Sequence, residues 1–220
     1  MLKITLLSKA YPQRGKVLDK LDLEVNDGDT IAVTGPSGSG KTTLLNLIGL
    51  LDRPDSGDIL FNNVSILAFS NNEAADYRNS NIGFVFQDHL LMPHLTLCEN
   101  IMLPLLARKI RSSDLNIEEL YCLDLMKEVG ISDLKNKYPF QVSGGEAQRA
   151  SLVRALINRP KIILADEPTG SLDSANASLL ADLLVKMNTD HGISIIAATH
   201  SQALAEKMKR RVRLENGSLI

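Results

Sequence analysis

The sequence predicts an α/β fold organised on a mostly parallel sheet, and three observations carry that expectation. The first is a set of short, near-continuous apolar runs: Ile31, Ala32 and Val33; Ile162, Ile163, Leu164 and Ala165; and residues 193–198. A strand buried on both faces needs such a run. The second is the stripe Leu179, Leu180, Leu183, Leu184 and Met187 between the last two runs, with Gly192 placed as a C-cap. Strand, crossover helix and strand make a βαβ unit. The third is a helical pattern from about 88 to 160, broken at Pro93, Pro104, Gly130 and Pro139. It predicts a helical lobe inserted between strands of the sheet. The expected organisation is one domain over residues 1–220, with an α/β core of about 1–87 and 161–220 and a helical lobe of about 88–160.

The elements follow in order. Residues 1–30 read as strands, and in Leu21, Asp22, Leu23, Glu24 and Val25 the alternation marks a half-buried one that ends in the turn 26–29. After Ile31, Ala32 and Val33 comes a glycine-rich loop. Leu44, Leu47, Ile48 and Leu51 then fall at i, i+3, i+4 and i+7, one stripe of a helix. Asp55, Ser56 and Gly57 form a turn before Ile59, Leu60 and Phe61, and Asn62-Asn63 reads as a hairpin tip. Residues 68–81, rich in Asn, Ser and charge, read as a surface connection. Residues 82–86 read as a strand. Val212, Arg213, Leu214, then Asn216-Gly217, then Leu219, read as a closing hairpin.

The loop between the first buried strand and its helix is Gly35, Pro36, Ser37, Gly38, Ser39, Gly40, Lys41 and Thr42, which fits G-x-x-x-x-G-K-[ST]. Glycines let successive backbone N–H groups turn inward on phosphate oxygens. The helix that follows adds unpaired N-terminal donors and roughly half an elementary positive charge. Lys41 can reach β- and γ-phosphates, and the Thr42 hydroxyl can ligate Mg²⁺. This is the signature of a nucleoside triphosphate site. The run 162–165 leads directly into Asp166 and Glu167, at the C-terminal end of a buried strand, where α/β sheets place ligands. There an Asp holds Mg²⁺ and a carboxylate one residue on can deprotonate a water. In a further stretch, Ser143 is an N-cap followed by Gly144, Gly145 and Glu146, with Ala150, Val153 and Leu156 continuing a helix. It is a second helix N-terminus suited to an anion.

Composition bounds the function. Hydrophobic content of 44% and charged content of 23% are ordinary for a soluble globular chain. A net charge of −2 supplies no basic field for nucleic acid. The two cysteines, Cys98 and Cys122, have no paired spacing and read as small buried hydrophobes in a reducing compartment. The N-terminus starts directly into strand-like sequence and no stretch approaches ~20 apolar residues, so the expectation is a soluble, cytoplasmic protein. A guanine-reading Asn-Lys-x-Asp is missing, since Asn136-Lys137-Tyr138-Pro139 fails at the last position.

Five motifs in register, namely 35–42, 143–150, 164–169, Ser171-Leu172-Asp173 and Thr199-His200, together resemble the nucleotide-binding subunits of ABC transporters over the whole chain. The resemblance implies a P-loop NTPase of the ABC type, a RecA-like core with an antiparallel β subdomain plus the helical lobe. It implies ATP and Mg²⁺ as ligands. It extends the ATP-binding set from Tyr11, stacked on adenine, through the 35–42 loop to Thr43. Gln87 is matched to a Mg²⁺ and water ligand linking the lobes, His200 to the γ-phosphate sensor, and Glu167 to the general base. It places Ser143, Gly144, Gly145 and Glu146 over ATP held by a second copy, with Asp173 at that seam, and therefore implies a homodimer. Val142 stands where Leu is usual and Glu146 where Gln is common; neither change removes a required group.

Within the family, Phe84-Val85-Phe86-Gln87, residues 90–96, Glu99-Asn100-Ile101 and Leu103-Pro104-Leu105 are similar to the MacB/LolD/FtsE group. Residues 205–208 and 213–219 are most similar to its lipoprotein-releasing branch. The resemblance implies integral-membrane permease partners of the MacB/LolC/LolE kind and a place at the cytoplasmic face of the bacterial inner membrane. Residues 90–106 would receive the permease. An efflux motor and an FtsE-like ATPase that signals to cell-wall enzymes stay open at this point, because partner identity separates them and the cassette does not. A soluble relative acting on DNA or ribosomes would carry coiled-coil insertions, zinc-binding cysteines or a second cassette.

Overall fold

The computed structural model describes residues 1–108 and 115–220. Two sheets form. The first is antiparallel, with β1 (Leu2–Tyr11), β2 (Gly15–Val25), β4 (Ser56–Phe61) and β5 (Val64–Ser65) in the order β2-β1-β4-β5. The second holds β3 (Thr30–Thr34), β6 (Ile82–Val85), β7 (Ile162–Asp166), β8 (Ser194–Ala198), β9 (Arg210–Glu215) and β10 (Ser218–Leu219), ordered β10-β9-β3-β8-β7-β6. Pairing in it is parallel from β9 to β6, and β10 folds back on β9 as the closing hairpin.

The near-continuous apolar runs are explained by the two layers over this sheet. Side chains alternate between its faces. Ile31, Val33, Ile162, Leu164 and Ile196 point to one core, shared with α1 (Lys41–Ile48) and the antiparallel sheet. Ala32, Ile163, Ala165, Ile195 and Ala197 point to the other, shared with α4 (Leu115–Glu128), α5 (Gly144–Leu156) and α6 (Ser174–His191). A polar residue at either set would leave an unpaired group in apolar surroundings.

Three expectations change. Residues 68–81 are not a plain connection: α2 (Asn71–Asn81) occupies most of them. Its start is a capping box, in which Ser70 accepts from the Glu73 N–H and Glu73 accepts from Ser70. Only Ala74 and Tyr77 of this helix are buried, so the period is too thin to read against a polar background. Tyr77 anchors it, packing edge-on against Phe61 at 5.3 Å and donating to the Ile48 carbonyl. Leu51 does not continue the stripe of α1, because the helix stops at Gly49 and Leu50 turns left-handed at φ 50°. Leu179 lies on the outer side of α6, half-exposed, while Leu180, Leu183, Leu184 and Met187 are buried. Gly192 ends that helix in the left-handed region.

Between β6 and β7 the helices begin at Leu97, with α3 (Leu97–Met102), α4 and α5, and short 3-10 turns between them. Of the expected helical stretch, 109–114 lie outside the described residues. Residues 88–96 form a loop tied down by buried Asn100, whose side chain accepts from the Met92 N–H and donates to the carbonyls of Met92, Leu95 and Thr96.

Candidate active site

The loop 35–40 leaves β3 and enters α1 through glycines in conformations closed to other residues. Gly35 has φ 146°, and a Cβ there would lie 2.2 Å from the Leu214 carbonyl oxygen of β9. Gly40, the N-cap, has φ 107° and offers no side chain to the first turn. The N-terminal donors of α1 are therefore left for a ligand, with no acidic residue in the first turn to compete.

A cavity of about 490 Å³ opens on this loop. Ser37, Gly38, Gly40, Lys41, Thr42 and Thr43 line one wall; Gln87, Asp166, Glu167, Gly170 and His200 line the other. The second wall comes from the C-terminal ends of β6, β7 and β8, so sheet register alone brings together residues more than a hundred positions apart. The Lys41 side chain is only 7% exposed. Its ammonium donates to the carbonyls of Gly35 at 3.0 Å and Pro36 at 3.2 Å and to His200 Nε2 at 2.9 Å. Glu167 takes a left-handed φ of 45°, its N–H bonded to the Ala198 carbonyl. This aims its carboxylate across the cavity: Oε2 accepts from the His200 N–H at 3.0 Å, and Oε1 lies 3.4 Å from His200 Nε2 and 3.9 Å from Lys41 Nζ.

Among the described residues two buried carboxylate oxygens, Asp166 Oδ1 and Glu167 Oε1, have no hydrogen-bond partner, and both face this cavity. Burial pushes the Asp166 carboxyl above the usual aspartate range, against the pull of the nearby Thr42 hydroxyl, and neighbouring Glu167 adds to the rise. Unsatisfied acceptors beside a lysine and a helix N-terminus call for a bound cation and anion together. Thr42 and Asp166 supply the hard oxygen donors that Mg²⁺ takes alongside phosphate. The donor set fits the group.

The remaining candidates lie elsewhere. Tyr11 does not line the cavity; its hydroxyl donates to Asp52 at 2.7 Å beneath the Lys9 ammonium, and burial and that hydrogen bond raise its pKa. Arg14 and Val17, on the β1–β2 turn and β2, line the cavity instead. Neither was a candidate from sequence, where the only signal is their closeness to Tyr11. Ser143, Gly144, Gly145 and Glu146 stand at the start of α5 and do not line the cavity either. They form a capping box, with Ser143 N–H and hydroxyl donating to Glu146 Oε2 at 2.7 and 2.8 Å. Those bonds hold the Glu146 carboxyl below the usual range. Gly145 is packed, since a Cβ there would sit 2.4 Å from Asn176 Oδ1, whereas a Cβ on Gly144 would meet nothing within 4 Å. Asn176 in turn donates to Asp173 Oδ2 at 2.7 Å, so the start of α5 and the Asp173 cap of α6 are one unit.

Gln148 was also unforeseen. It is 1% exposed, and its amide donates to the Phe86 carbonyl at 2.7 Å and the Pro168 carbonyl at 3.1 Å. It ties α5 to the backbone just before Gln87 and just after Glu167.

A phosphate loop, paired carboxylates on the next strand and a histidine on the one after define an ATP-binding cassette. The ABC transporter family profile matches residues 18–170, and the chain belongs to that family as an ATP-binding subunit. It is 42% identical over 223 residues to the lipoprotein-releasing system ATP-binding protein LolD 1 of Rhodopirellula baltica, covering 100% of this chain and 96% of that one. It is 39% identical to the LolD protein of Myxococcus xanthus, over 100% of this chain and 98% of that one. Among solved structures it is similar to the dimeric, post-hydrolysis cassette MJ0796 bound to ADP and Pi. There the identity is 34%, the TM-score 0.87, and the coverage 100% of this chain and 96% of that one. CbiO1 of Clostridium perfringens, part of the cbiONQ transporter complex, aligns at 30% identity and TM-score 0.89, over 100% of this chain and 86% of that one.

Proposed function

We propose that this chain is the ATP-hydrolysing subunit of a lipoprotein-releasing type of membrane transporter, working as a homodimer at the cytoplasmic face of the inner membrane. The observation that carries the reading is the cavity at Lys41, where two unsatisfied carboxylate oxygens face the phosphate loop. The LolD relatives supply the transport class, and the dimeric cassette supplies the assembly. No helix among the described residues is long and apolar enough to cross a membrane, so the membrane place depends on permease partners of the MacB/LolC/LolE kind. An apolar groove of about 450 Å³ supports such docking: Leu51, Phe84, Phe86 and Pro104 line it, beside exposed Leu90, Met92 and Leu106.

The residues divide the chemistry. The 35–40 loop and the first turn of α1 hold the phosphates, and Lys41 exchanges the carbonyls of Gly35 and Pro36 for phosphate oxygens. Thr42, Gln87 and Asp166 would hold Mg²⁺, which would supply positive charge against the phosphates. Glu167, fixed through Oε2 by the His200 backbone, accepts a proton from the attacking water at Oε1, and His200 and Lys41 face the charge that develops on the γ-phosphate. Ser143, Gly144, Gly145 and Glu146 close over the nucleotide of the second copy, which their position outside their own chain's cavity and the open space at Gly144 support.

The test uses Glu167→Gln, expected to bind ATP, lose hydrolysis by about 10²–10⁴-fold, and run as a dimer with Mg-ATP in sizing. Tagged and held closed by ATP, it would be recovered from detergent-solubilised native membranes and its partners identified by mass spectrometry. Two related permease-like chains with bound lipoprotein are expected. A single such chain with an outer-membrane channel would assign efflux instead, and a partner of cell-wall hydrolases would assign signalling. Wild-type turnover by this variant would reject Glu167 as the base.

A further inference from the structure

We propose that Cys98 and Cys122 form a peroxide-reactive dithiol that closes into an intramolecular disulfide across the helical lobe. Their spacing in the chain suggested two unrelated buried thiols. Packing of α3 on α4 instead brings the two Sγ atoms to 3.8 Å, with Met102 Sδ 3.9 Å from Cys98 Sγ. Cys122 is fully buried, while Cys98 is partly open to solvent, so a small oxidant reaches the pair from one side. The sulfurs already touch, and closing to the ~2.05 Å bond length is a short movement of two side chains.

The two thiols are chemically unequal. Its hydrogen bond with Cys122 holds the Cys98 thiol below the usual cysteine range, which favours the thiolate. The same hydrogen bond, with burial, pushes the Cys122 thiol up. Cys98 is therefore the attacking sulfur and Cys122 the resolving one. The Cys98 thiolate attacks one oxygen of hydrogen peroxide, the O–O bond breaks, and the departing hydroxide takes a proton to leave as water. Cys98 becomes a sulfenic acid. The Cys122 sulfur then attacks Cys98, its proton goes to the leaving hydroxyl, and a second water departs. The two sulfurs together lose two electrons and the peroxide gains them.

The bond would fasten α3 to α4. Asn100, two residues beyond Cys98, is the anchor of the loop 88–96 that follows Gln87, so oxidation stiffens the base of that loop. The experiment treats the reduced, full-length protein with equimolar hydrogen peroxide, alkylates it under denaturing conditions, and maps the peptides carrying residues 98 and 122. The expected result is loss of both alkylation sites in a single-chain species, a linked peptide pair lighter by about 2 Da, and full reversal by dithiothreitol. Cys122→Ser, which keeps a hydrogen-bonding group beside Cys98 but cannot form the disulfide, is expected to stop at a Cys98 sulfenic acid that dimedone captures, and Cys98→Ser to give no adduct. Two alkylatable thiols after treatment, chains cross-linked to one another, or Cys98 carried to sulfinic acid without a linked pair would each overturn the proposal. The variants are checked for folding by circular dichroism. If Cys122→Ser does not fold, the wild-type peptide map and Cys98→Ser decide the matter.

Discussion

Lys41 shows how much of the site hangs on one charge. It is nearly enclosed, and its ammonium is held by two loop carbonyls and His200 in a geometry that phosphate oxygens would take over. Lys41→Ala is expected to lower ATP turnover by about 10²-fold or more, read in a phosphate-release assay, since a positioned donor in such a site is worth that much. Gln148 is a different kind of residue, touching no ligand. Gln148→Leu would strip two carbonyls, those of Phe86 and Pro168, of their donor, at a cost of about 1–3 kcal/mol in unfolding free energy measured by urea denaturation. These two residues also mark what was legible in the sequence. Lys41 could be read because the loop that marks it, residues 35–42, is contiguous in sequence, although its contact to His200 is not. Gln148 could not, because its bonds reach back 62 positions and forward 20, and a glutamine on a helix looks the same whether it faces water or a carbonyl.

At the scale of elements, helix starts carry a shared device. Ser70 with Glu73, Thr96 with Glu99, and Ser143 with Glu146 each close a capping box. In each, hydrogen bonds from the cap residue hold the glutamate below its usual value of 4.5. The folded chain then binds fewer protons than the unfolded one, so this stability is present above about pH 4.5 and is lost as pH falls through the folded values. Asp166, raised by burial, works in the opposite direction, favouring the fold as its carboxyl protonates. The three caps outnumber it, and the urea midpoint is expected to fall between pH 5 and pH 3 (on the order of the shifts that capping carboxylates produce). Denaturation series at fixed ionic strength would check this; a flat midpoint would remove the caps from the stability account. The same helices show where sequence reading fails. The α5 start was visible because two glycines flag it, whereas α2 hid behind asparagine and serine with only Ala74 and Tyr77 turned inward. Strands were easier, since a strand covered on both faces has a near-continuous apolar run at its centre.

At the scale of the molecule, the Ser143 helix start stands apart from the phosphate cavity of its own chain, as the proposed arrangement with a second copy requires. Gly144 has open space around it within this chain, in contrast to Gly145 against Asn176. Gly144→Asp is accordingly expected to change stability by under about 1 kcal/mol and to keep ATP binding, while abolishing ATP-dependent dimerisation in sizing with Mg-ATP. An unaffected dimer would refute the trans arrangement. The sheet order has a further consequence, for biosynthesis. β3, which delivers the phosphate loop, lies between β8 and β9, and the loop's first glycine rests against Leu214. Chains grow from the N-terminus, so the loop emerges from the ribosome long before either flanking strand exists. A nascent chain stalled short of residue 194 carries the loop, Gln87, Asp166 and Glu167 but lacks His200 and both strands that flank β3, and it is expected to hold no nucleotide. Competence arrives late and abruptly, with the strands that flank β3.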